Sequence, residues 1–84
     1  MDVLKVFDTW VDVPGKTLHF DVMTLDQETA LRLANEHVVT QGYAAISVTA
    51  EECQFCHQEP LAVFTEHQQH EFRRHGGFIV QLSA

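Results

Sequence analysis

Two runs rich in β-branched and aromatic residues, Val3 to Val13 and Thr17 to Thr24, flank Pro14-Gly15, and this pattern calls for a β-hairpin with a tight turn. An even-length loop centred on Pro14-Gly15 puts Phe7, Thr9 and Val11 on one face together with Leu18, Phe20 and Val22. Asp8, Trp10 and Asp12 then oppose Thr17, His19 and Asp21 on the other face. The first face is a core face and the second is mixed. A loop of odd length would exchange these pairings, so everything read from the mixed face depends on that turn.

Downstream, Thr24-Leu25-Asp26-Gln27 has the form of a helix start, with Thr24 or Asp26 as the cap. The helix is expected from Gln27 to about Gln41, with Ala30, Leu31, Ala34 and Val38 on one stripe and Gly42 at its end. Ala44 to Val48 is a short apolar run and a candidate third strand. Thr49-Ala50-Glu51-Glu52 fits a capping box that opens a short helical turn. Pro60 suits the first turn of a second long helix running to about His75, where Gly76-Gly77 stops it, and Phe78 to Leu82 closes the chain as a strand. The expected order is ββαβαβ: a single small α+β domain over residues 1–84, with a four-stranded sheet and two main helices packed on one face.

Chain length limits what such a domain can hold. At 84 residues, only about 60 to 65% of the unfolded surface is buried on folding, which leaves little room for a large enclosed active site beside a full core. Five Lys and Arg against twelve Asp and Glu give a formal charge of −7, which opposes a phosphate backbone, so no nucleic acid partner is expected. The one basic cluster, Arg73-Arg74-His75, falls at an expected helix end, where the helix dipole favours cations. No apolar run is long enough for a membrane span, and the Met1 to Lys5 start lacks the pattern of a signal peptide. The expectation is a cytoplasmic protein with no membrane partner.

In a reducing compartment, the segment Cys53-Gln54-Phe55-Cys56-His57 admits four readings. Taken as a c-type haem motif, it would use two thioether bonds and His57 as axial ligand. The strand-first architecture and the absent signal sequence count against haem. As a metal site, Cys53, Cys56 and His57 project to one side of a helical turn, and His67 or His70 could supply a fourth ligand, so a zinc site of Cys53, Cys56, His57 and His67 is the expectation to test. The central gap and the His67-His70 spacing are both shorter than in a zinc finger, and both histidines lie on the flank of the expected helix. As a thiol redox pair, the cysteines would sit at a helix start after a strand, without the full βαβ unit of thioredoxins. The fourth reading is packing, since free cysteine behaves as a small buried hydrophobe.

A second constellation lies on the mixed face of the hairpin. Asp8, His19 and Asp21 could cluster there to bind a cation or orient a general base, with Trp10 adding a stacking surface. The competing account is a solvated sheet face with weak cross-strand charge pairs, which the sequence favours. No phosphate-binding glycine loop, nucleophile elbow or HExxH is present, so no recognisable catalytic constellation supports an enzyme.

Taken together, Val6-Phe7-Asp8-Thr9-Trp10-Val11, His19-Phe20-Asp21-Val22 and Glu52-Cys53-Gln54-Phe55-Cys56-His57 resemble a family of small bacterial proteins classed as a domain of unknown function. The resemblance brings no activity, substrate or cofactor to carry over. The functional expectation is therefore an uncharacterised domain with a metal or ligand site near the cysteine turn. Its rivals are a thiol redox protein and a binding or homodimeric assembly module, in which β-strands left at a sheet edge would pair across subunits.

Overall fold

The structure, a computed structural model, describes residues 3–43, 49–52 and 58–81. Strand β1 (Val3–Val13) turns directly into β2 (Lys16–Thr24), and helix α1 (Gln27–Thr40) follows. Strand β3 (Thr49–Glu52), the two-residue β4 (Glu59–Pro60), a 3-10 turn (Leu61–Val63), helix α2 (Glu66–His75) and β5 (Gly77–Gln81) complete the chain. The sheet is antiparallel in the order β3-β1-β2-β5, with β4 paired to the start of β1. The fold is the α+β, four-stranded, two-helix domain with the ββαβαβ order that the pattern implies, but the two helices do not share a face as expected: α1 packs on the face of Phe7 and Val11, and Phe72 of α2 on the face of Leu4 and Met23. No helix among the described residues is long and apolar enough to cross a membrane.

The hairpin register follows from its turn. Val13 pairs with Lys16, leaving Pro14 and Gly15 as a two-residue loop, and Gly15 takes the positive φ of 84° that a Pro-Gly turn requires at its second position. Phe7, Val11 and Val13 of β1 and Leu18, Phe20 and Val22 of β2 form one core cluster with Ala30, Leu33, Ala34 and Val38 of α1. Leu33, not Leu31, completes the buried stripe of α1, and Leu31 packs at its margin. Asp26 caps this helix, its side chain accepting from the Thr29 N–H at 2.8 Å. That bond holds the Asp26 carboxyl below its usual range.

The opposite face of the sheet is divided. At one end Leu4, Met23 and Phe78 pack with Phe72 of α2, and Leu61 and Phe64 close over them, the Phe64 and Phe78 rings meeting edge to face at 5.1 Å. Toward the Pro14-Gly15 turn, the same alternation brings up Asp8, Trp10 and Asp12 in place of Leu4 and Val6. Helix α2 runs beside β5 and is joined to it through Gly76, whose φ of 88° ends the helix. Buried Thr24 ties this corner to β2 by donating to the Gly76 carbonyl at 2.6 Å.

Two local expectations are corrected. Thr49–Glu52 is a strand, with Thr49, Ala50, Glu51 and Glu52 paired to Trp10, Thr9, Asp8 and Phe7, and not the start of a helical turn. Pairing to the free side of β1 outweighs a capping pattern that only local bonds support. Helix α2 begins at Glu66, not near Pro60. Thr65 is extended, and its hydroxyl accepts from the Gln68 N–H while the Gln68 side chain accepts from the Thr65 N–H, a complete capping box. Pro60 instead belongs to β4. The candidate strand Ala44 to Val48 lies outside the described residues. β1 lies between β2 and β3 along Phe7 to Trp10, and β2 lies between β1 and β5 along Phe20 to Thr24.

Candidate metal centre

The end of the second sheet face nearer the Pro14-Gly15 turn collects the polar residues of the hairpin. Asp8 is the Cα partner of Asp21, Trp10 of His19 and Asp12 of Thr17, as an even-length turn requires. Thr17 donates to Asp12 at 2.8 Å in an ordinary exposed cross-strand contact. The row at Asp8 extends to the neighbouring strand, where Glu51 is its Cα partner, so acidic residues occupy three successive register positions across β3, β1 and β2. Like charges in one row oppose sheet pairing.

Asp8, His19 and Asp21 are each half-buried, and each offers one ligand atom lying within 4.8 Å of the other two. Asp8 and Asp21 face each other across the strands, while His19 stands two residues from Asp21 on the same face of β2. Trp10 covers the imidazole: the two rings are parallel to within 7°, with centroids 3.5 Å apart. His19 Nε2 and Asp21 Oδ1 are both closed off from solvent, and neither has a hydrogen-bond partner among the described residues. Buried polar atoms of this kind are rare in folded proteins and call for a specific account, such as a role in binding.

Electrostatics at Asp21 follow from this placement. Burial is the largest influence, followed by a hydrogen bond that the protonated Asp21 carboxyl donates to Asp8 and repulsion by the Asp8 charge, and together they push the Asp21 carboxyl up to about 6 against a pull in the other direction from His19. Two carboxyls this close hold a proton between them more readily than either would alone. A divalent cation would replace that proton, satisfy Asp21 Oδ1 and relieve the repulsion at the same time.

The cysteine-based expectation meets the structure at one residue only. Cys53, Cys56 and His57 lie outside the described residues. His67 stands on α2 with its side chain 79% exposed and its Nε2 3.6 Å from Glu71, which also receives His75 Nε2 at 3.2 Å. These three residues line one wall of a groove of about 460 Å³ between α2 and α1, with Glu36 and His37 on the facing wall. His37 is tied at the groove rim to Gln81 at 3.2 Å and set edge-on to Phe20. The mixed-face triad of Asp8, His19 and Asp21 is brought together as the hairpin register implies. What sequence reasoning missed is the position of Glu51 beside it, hidden by the reading of Thr49–Glu52 as a helix start.

Comparison with known proteins adds the family. No similar curated protein and no similar solved structure was found. The family model described as a domain of unknown function, DUF2024, matches residues 1–82, nearly the whole chain including both strands that carry the triad, and the protein belongs to that family.

Proposed function

We propose that this domain binds a divalent transition metal, zinc being the reference ion, through Asp8, His19 and Asp21. The observation that carries the reading is the convergence of three ligand atoms within 4.8 Å, in a place where His19 Nε2 and Asp21 Oδ1 are buried without partners. One imidazole and two carboxylates form a mixed nitrogen and oxygen donor set that suits zinc and its first-row neighbours better than calcium or magnesium. Ligand atoms around one tetrahedral zinc at about 2.1 Å stand roughly 3.4 Å apart, so side-chain rotation alone closes the site from its present spread. The two carboxylates balance the ion's charge, and three protein ligands leave its remaining positions to water or to an exogenous ligand.

Calorimetric titration of zinc into tag-free, chelator-stripped protein at pH 7.5 tests this. One ion per chain is expected for the wild type and for the Cys53→Ala/Cys56→Ala double variant, with affinity weakened roughly tenfold or more in His19→Ala and in Asp21→Asn, each of which removes a ligand. Zinc binding that survives both triad substitutions, or that disappears with the cysteines, transfers the site to Cys53, Cys56, His57 and His67 and overturns the proposal. Absence of binding by the wild type overturns it as well.

A further inference from the structure

We propose that Trp10 is a positioning residue for that centre, holding the His19 imidazole by face-to-face stacking in the orientation that directs it to Asp8 and Asp21. The inference rests on the metal reading above.

Trp10 is not explained by the core. It is 54% exposed and belongs to neither hydrophobic cluster, although an indole is among the side chains that gain most from burial. Its placement is nevertheless specific. Trp10 is the direct cross-strand partner of His19, and centroids 3.5 Å apart with planes 7° apart put the two rings in full contact. Among the described residues, the aromatic partner of this exposed indole is the His19 ring.

An imidazole needs such support. Rotation about its second side-chain torsion is broad, and a metal-ligating histidine is ordinarily oriented by a hydrogen bond at its other ring nitrogen. His19 Nε2 itself has no hydrogen bond among the described residues, so nothing at that atom fixes the ring. The parallel indole supplies the constraint instead: turning the imidazole out of plane would break the stack. It also shelters the imidazole from water on that side, which strengthens its interaction with the carboxylates.

Zinc titration of the full-length, tag-free chain tests this when combined with proton NMR of the His19 ring in the metal-free protein. Trp10→Ala is expected to weaken zinc binding roughly tenfold, the scale of losses when a ligand's orienting partner is removed, while Trp10→Phe keeps affinity within about twofold of wild type. The His19 ring protons should be shifted upfield by ring current in the wild type and in Trp10→Phe, and return toward free-histidine positions in Trp10→Ala. Thermal unfolding of the metal-free variants monitors the fold, which an exposed side chain outside the core should leave intact. Unchanged zinc affinity in Trp10→Ala, or a loss in Trp10→Phe as large as in Trp10→Ala, overturns this inference alone. A wild-type protein that binds no zinc overturns the metal reading and this inference with it, whatever the ring shifts show.

Discussion

Asp8 and Asp21 are direct partners across the first hairpin, and the burial of Asp21, reinforced by its hydrogen bond to Asp8 and by the Asp8 charge, keeps the Asp21 proton until about pH 6. Two acids facing each other on adjacent strands weaken the metal-free sheet. The same pair, with His19 beside it, is the strongest ligand set among the described residues. On the proposed metal reading, stability of the metal-free protein and affinity for a cation depend on the same carboxylates in opposite senses.

Replacing Asp21 separates the two. Its folded-state pKa, about 6, lies above the ordinary 3.8, so the proton is bound more tightly in the native state. This group's contribution to stability is then fully present below pH 3.8 and is lost as pH rises through about 6. Asp21→Asn keeps the neutral shape at every pH. The variant is expected to match the wild type near pH 3.5 and to exceed it by about 1 kcal/mol at pH 7.5, a figure reduced for solvent screening of a half-exposed carboxyl. Urea denaturation at both pH values measures the difference, and a variant less stable than wild type at pH 7.5 contradicts the assignment.

Metal binding should show the complementary pH dependence. A cation at the triad must displace the Asp21 proton, so affinity falls as pH drops below about 6. At zinc concentrations about 100 times Kd, linkage adds about 2.7 kcal/mol, or roughly 10 to 20 °C in Tm for a domain of this size. Thermal unfolding with and without zinc is expected to show that gain at pH 7.5 and little of it at pH 5. An equal gain at both would mean that groups other than the Asp8 and Asp21 carboxylates hold the ion.

The hairpin and its polar face were legible because one dipeptide, Pro14-Gly15, sets the turn length, and turn length sets which side chains meet. Asp8, His19 and Asp21 fall on one face from that fact alone. That His19 Nε2 and Asp21 Oδ1 are left without partners was not legible, because it depends on how closely the Trp10 indole and the flanking strands pack around them. Thr49–Glu52 was misread for a related reason. Its Thr-x-x-Glu pattern satisfies a helix cap in isolation, whereas the strand it forms is selected by a distant partner, the unfilled side of β1. The start of α2 offered two local signals, Pro60 and Thr65-x-x-Gln68, and the one that satisfies two backbone donors prevailed.

The capping box at α2 should be measurable. Thr65→Ala removes the hydroxyl that accepts from Gln68 at 3.1 Å and leaves an N-terminal N–H of a ten-residue helix to water. A loss of about 1 kcal/mol in denaturant unfolding is expected, with Thr65→Ser losing less than half as much. Because Phe72 is the one buried residue of this helix, fraying should also loosen the Leu4, Met23 and Phe78 cluster. Faster amide exchange in α2 and β5 than in the β1–β2 hairpin is the signature to look for in the Ala variant.

Gly77 makes a sharper steric prediction. It opens β5 as the Cα partner of Thr24, and a Cβ placed there would lie 2.5 Å from the Met23 carbonyl oxygen and 2.8 Å from both Thr24 Cβ and Leu33 Cδ1. Two of these atoms are fixed by the β2 backbone, so relief requires β5 to move away from β2 or α1 to lift from the sheet. Gly77→Ala is therefore expected to destabilise the domain by about 2 to 3 kcal/mol, in the range of overpacked cores. Gly42→Ala provides the contrast. Its φ of 93° disfavours a side chain, but nothing lies within 4 Å of the added methyl, so backbone strain of about 1 kcal/mol is the whole cost. If urea denaturation gives the two variants equal losses, close packing of β5 against β2 and α1 is not what demands glycine at position 77.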